Sequence, residues 1–215
     1  MSDTNRRDLS RSAGIAFAAV YLASFVMASL PPHTYGSTLD EWADATGAGS
    51  LRIRVMVLSH LLWPVAGALL LWSVAHLRRG LDARAGSTIG GQVAAGSAVV
   101  FAVGLSLAGA ASMASNKVAG GDYIGGFPAD PEVGYGLSIL SGEIGNATVW
   151  GAALLMIAVG AAAWRDALLP RWLIWLGYVT APLLIAAWYY GLPVLLFAIW
   201  VAVAAFRVQT EEIPE

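Results

Sequence analysis

Residues 137–164 read LSILSGEIGNATVWGAALLMIAVGAAAW, an apolar run that carries Glu143 and Asn146 in its first third. As a helix rising 1.5 Å per residue it is about 42 Å long, against roughly 30 Å of bilayer hydrocarbon. A run of this length and composition decides the fold class: an all-α, polytopic membrane protein. It also supplies a first site hypothesis, because an ionisable group at membrane depth is expensive and is a functional candidate by default. Glu143 and Asn146 are three residues apart and share one helix face. Gly142 and Gly145 beside them allow a neighbouring helix or a ligand to approach closely.

Similar apolar runs recur on both sides of this one. The pattern predicts helices over about 13–30, 55–76, 88–113, 137–164, 171–188 and 192–206, a six-transmembrane-helix bundle in one domain, 1–215. Composition agrees, with 58% of the 215 residues hydrophobic and 12% charged, about half the charge of a soluble domain. The 24 glycines suit close helix packing in lipid. The absence of cysteine excludes disulfides, iron–sulfur clusters and thiolate chemistry.

Local signals mark the ends of the spans. Pro31-Pro32 closes the first, which is longer than a signal-peptide core and lacks a small-x-small cleavage site, so a retained helix is expected. Beyond it, residues 39–45 fit a short interfacial helix with Trp42 in an aromatic belt, or an irregular loop. Pro64 in the second span deprives the carbonyl of residue 60 of its amide donor, and a kink or a polar adjustment is expected there. The glycines of the third span predict close contacts. Gly120-Gly121 and Gly125-Gly126 lack the strand-to-helix context of a phosphate loop and read as turns.

Charge gives the sidedness. The N-terminus, residues 77–87, the turn at 165–171 and the tail hold every basic residue except Arg52, Arg54 and Lys117. Six spans with both termini cytoplasmic satisfy the positive-inside rule at each short loop. The expected location is a bacterial plasma (inner) membrane.

With sidedness assigned, depths are comparable. A midpoint near Val65 puts His60 roughly 8 Å toward the outer face, and a midpoint near Trp150 puts Glu143 roughly 10 Å and Asn146 about 6 Å out. Ser106, and Thr180 or Tyr178, reach the same level. The sharp expectation is an outward-opening ligand pocket of Glu143, His60, Asn146, Arg54 and Ser106, with Glu143 as buried charge or proton carrier and His60 as its partner. The plainer one is a structural clamp between the second and fourth spans, or a Glu143 wetted at the interface. Sequence leaves both open.

Other chemistries are weaker. His60 and His76 are sixteen apart, about 24 Å along a helix, so a bis-histidine haem needs His33 folded back toward His60. A metal site of His33, His60 and Glu143 has suitable ligands but no local motif. No cofactor is expected. The spans as drawn contain no lysine, which excludes a retinal Schiff base. His60-x-x-x-Pro64 and Tyr178-x-x-x-Pro182 align as an inverted repeat would, a faint carrier signal. Tryptophans at span ends read as an interfacial belt, while Trp63, Trp150 and Trp200 lie nearer mid-membrane.

The entry Ser10-Arg11-Ser12-Ala13-Gly14-Ile15-Ala16 and the turn Leu169-Pro170-Arg171-Trp172-Leu173-Ile174-Trp175-Leu176-Gly177 resemble an uncharacterised bacterial six-span membrane protein family. The resemblance covers length, span number and these two stretches, and it implies no activity or site residue.

The function expected is an integral membrane accessory or structural subunit, or a small-molecule or lipid-binding protein with an outward-facing polar pocket. A small proton-coupled transporter is the alternative, followed by an intramembrane enzyme using His60 and Glu143. Expected partners are membrane lipids and either further copies of the chain or a larger membrane complex, with no nucleic acid.

Overall fold

The computed structural model describes residues 3–29, 38, 51–85, 89–120, 130–165, 168–187 and 191–210. These form six helices: α1 (Asp3–Ser29), α2 (Leu51–Ala85), α3 (Ile89–Gly120), α4 (Pro131–Arg165), α5 (Arg171–Ala187) and α6 (Leu192–Thr210). Segments Leu58–Gly80, Ile89–Ser115 and Pro131–Trp164 are long and apolar enough to cross a membrane; shorter apolar stretches are Ser12–Met27, Arg171–Ala186 and Leu192–Arg207. The outward faces carry large apolar side chains such as Leu61, Val65, Val100, Val103, Leu107 and Leu154. Three helices of this kind with such an exterior are those of a membrane protein.

Most helices outrun their apolar cores. α1 begins at Asp3 rather than near 13, α2 reaches Ala85 rather than 76, and α3 extends to Gly120 rather than 113. Polar residues at a span end leave the lipid without ending the hydrogen-bond ladder. Lys117, expected in a loop, therefore lies in α3, past the apolar stretch that ends at Ser115. α4 begins at Pro131 rather than 137, and the cause is local. Asp130 caps it, its Oδ1 accepting from the Val133 amide at 3.1 Å and its carbonyl from the Gly134 amide at 3.0 Å. Pro131 follows at the first helical position, where a missing amide is harmless.

Each helix packs on the next in the chain, and α6 returns to α1, closing a ring; α2 also touches α6. The most extensive interface joins α3 to α4. It is antiparallel and closed by small residues: Gly104 meets Thr148, and a β-carbon on Gly151 would stand 2.9 Å from the Phe101 amide nitrogen. Two serines cross it, Ser141 Oγ donating to the Ala108 carbonyl and Ser115 Oγ to the Gly134 carbonyl, each at 2.7 Å. Between apolar helices in lipid there is little hydrophobic drive, so close backbone approach and hydrogen bonds hold the pair.

Inside the ring, Phe17 and Tyr21 of α1 meet Phe101 of α3 and Phe197 of α6. Phe101 and Phe197 stand 5.3 Å apart between centroids, and Phe17 meets Phe197 edge-on at 5.8 Å. α5 and α6 are locked by Trp200, fully buried, whose indole Nε1 donates to the Leu173 carbonyl at 2.8 Å over Gly177.

Candidate functional site

α2 carries His60, which is 6% exposed and faces α3. Its imidazole lies edge-on to Trp63, ring centroids 4.4 Å apart, and Ser59 Oγ is 3.4 Å from its Nδ1. Four residues on, Pro64 has no amide to give the His60 carbonyl. That oxygen faces Gly109 of α3, where an added β-carbon would stand 2.9 Å away. The polar adjustment expected at residue 60 therefore takes the form of a close approach by the neighbouring helix. Pro64 itself is exposed.

The α3 contacts also carry levels from one helix to another. Gly109 abuts His60, and its neighbour Ala108 accepts from Ser141. His60 and Ser141 thus share a level, with Glu143 about 3 Å further along α4. Because α4 begins early, the middle of Pro131–Trp164 falls between Ala147 and Thr148. Glu143 is then about 7 Å from the midpoint, inside a hydrocarbon half-thickness of about 15 Å.

Laterally the two residues part. His60 is buried, whereas Glu143 is exposed on the outer face of α4. Both α2 and α4 pack extensively on α3, which stands between them. Asn146 is half-buried on α4. Ser106 is half-buried on α3 and returns its hydroxyl to the Ala102 carbonyl four residues back, at 2.8 Å. The Arg54 side chain, His33, Trp42, the piece 39–45 and the glycine pair at 125–126 lie outside the described residues.

The face that bears Glu143 is continuous. Leu140, Glu143, Ala147, Trp150, Leu154, Ile157, Ala161 and Trp164 are all exposed, at alternating spacings of three and four. This is the stripe that a coiled-coil seam presents to a partner helix. Trp150, 56% exposed, lies on it, while Trp200 is core and Trp63 packs beside the core.

His76 is half-buried near Trp72, their rings 6.1 Å apart, close to Arg78 and Arg79 at the end of the apolar stretch of α2. Among the described residues no three His, Asp or Glu stand close enough together to hold a metal ion. Sequence reasoning passed over Ser73 and gave Thr180 only a level; among the described residues the buried hydroxyls of both have no hydrogen-bond partner, and neither has Oδ1 of Asp82. Only the last had a readable signal, the Arg78-x-x-x-Asp82 spacing of a helical ion pair. Comparison with protein-family models, curated proteins and solved structures gives no match.

Proposed function

We propose that this chain is a non-enzymatic membrane subunit that assembles with a protein partner along the outer face of α4. All six helices cross the bilayer in this reading, and both termini lie on the cytoplasmic side with the arginine-rich turns. One observation carries it: Glu143 is exposed near the middle of the apolar stretch Pro131–Trp164, which in this reading lies in the hydrocarbon. A carboxyl group facing lipid at that depth is unfavourable by about 2.5–3.5 kcal/mol. A partner helix that offers it a cation or a hydrogen-bond donor removes that penalty. The interior supports the same reading over a carrier, since its axis is filled by the Phe17, Tyr21, Phe101 and Phe197 rings.

The test uses the chain extracted in native lipid, its size read by native gel and light scattering. Ala147→Trp adds bulk to the α4 stripe without touching the buried faces. The expected result is an assembly for the natural chain and a folded single copy for the variant. Two differently tagged copies show whether the partner is the chain itself. A natural chain that is already a single copy in native lipid would overturn the proposal.

A further inference from the structure

The cytoplasmic reading of the arginine-rich turns leaves one built feature unused. α2 and α3 touch closely at Gly67, where a β-carbon would stand 3.1 Å from Ala102, and then separate toward the end that carries Arg78. The gap is a groove of about 450 Å³, walled by Leu71, Val74 and Ala75 on one side and Ala95, Ala98 and Val99 on the other. That volume lies in the range of about 300–1,000 Å³ usual for small-molecule sites. The alanines of α3 create it, because larger side chains there would fill the space against α2.

The mouth is charged. Arg78 Nε donates to Asp82 Oδ2 at 3.2 Å, which uses one carboxylate oxygen and leaves Oδ1 buried without a partner. Arg79 lines the same mouth and is exposed. Two guanidiniums and one carboxylate give the mouth a net charge of +1. All three stand in the last turns of α2, Arg78 and Arg79 just before Gly80, where the apolar stretch ends, and Asp82 just beyond it. An apolar trough that opens at headgroup level under a cationic rim has the complementarity of an anionic phospholipid.

We propose that this groove binds an anionic phospholipid whose headgroup carries a free hydroxyl. The phosphate lies against Arg78 and Arg79, guanidiniums being suited to bidentate phosphate contacts. The hydroxyl donates to the partly exposed Asp82 carboxylate at the mouth, and an acyl chain runs along Ala95, Ala98 and Val99. The carboxylate sets the selectivity: it repels a bare phosphate but accepts from a polyol headgroup.

Native mass spectrometry of the full chain in detergent tests this, with phosphatidylglycerol, phosphatidic acid and phosphatidylcholine of identical acyl chains as probes. Phosphatidylglycerol is expected to bind about tenfold tighter than phosphatidic acid, the worth of one hydrogen bond to a charged acceptor, and tighter still than phosphatidylcholine. Asp82→Ala removes the preference over phosphatidic acid, and Arg79→Gln weakens both anionic lipids. Ala95→Leu fills the half-buried wall, keeps every charge, and abolishes retention; a thermal melt confirms that each variant is folded. Equal binding of all three lipids, or retention undiminished in folded Ala95→Leu, overturns the proposal. Displacement of the lipid by inorganic phosphate does so as well, since it assigns the mouth to a free anion. None of these readouts depends on the α4 stripe, so failure here leaves the assembly proposal standing.

Discussion

The carbonyl oxygen of His60 faces Gly109 across the α2–α3 interface, at a point where a β-carbon on residue 109 would stand 2.9 Å away. The relationship begins with Pro64, which cannot donate to that oxygen, and ends with a glycine whose missing side chain leaves room for it.

Gly109→Ala puts its β-carbon against the backbone oxygen of His60 and forces the two helices apart at this point, while Trp63, 3.5 Å from the same carbon, stays in ordinary contact. The expected loss is about 1–3 kcal/mol, the usual range for overpacking a close contact. Thermal unfolding in detergent reads it. In a Pro64→Ala background residue 64 can donate to the His60 carbonyl, the contact changes, and the two substitutions should not add. Additive shifts would mean that Gly109 and Pro64 act separately.

The number of helices was legible because apolar length is a property of each stretch alone. The lateral position of Glu143 was not, because a membrane helix can be apolar toward lipid and toward protein alike. Depth survived where face did not: His60 and Glu143 do stand at neighbouring levels, on helices held to opposite sides of α3. The central rings escaped notice for a related reason. Phe17, Phe101 and Phe197 come from three helices, and no local spacing links them. The start of α4 was readable in Asp130-Pro131-Glu132, whose capping residue, first-turn proline and first-turn acid outweigh the polar character that suggested a loop.

Asp130→Ala tests that cap. Its side chain satisfies the Val133 amide at the exposed start of α4. Removing it is expected to cost about 0.5–2 kcal/mol and to speed hydrogen exchange in the first turn, around residues 132–135, while the α4 core is unaffected. Unchanged exchange there would show that Pro131 alone sets the helix start.

Trp200→Phe isolates the α5–α6 lock. The substitution keeps an aromatic ring in a fully buried position but loses the 2.8 Å bond to the Leu173 carbonyl and part of the contact over Gly177. A loss of about 1–3 kcal/mol is expected, combining the hydrogen bond with the smaller ring. The unfolding midpoint measures it, and tryptophan emission shows whether the remaining environment is altered. A midpoint within error of the natural chain would mean that the indole bond contributes nothing net.

Glu143→Leu separates two effects that share one side chain. In the single copy the substitution replaces an outward-facing carboxyl group, about 7 Å from mid-span, with a residue that suits lipid. The folded single copy is therefore expected to become more stable, by up to about 2.5–3.5 kcal/mol if the group is fully in hydrocarbon. In the assembly the same change removes the acceptor for the partner's donor, so the assembly should weaken. Opposite signs from one substitution cannot come from a structural defect, which would lower both. Measuring the unfolding midpoint of the Ala147→Trp single copy with and without Glu143→Leu gives the first sign, and native-gel size of Glu143→Leu alone gives the second. If both fall together, Glu143 is satisfied within its own chain and the α4 face is an ordinary lipid-facing surface.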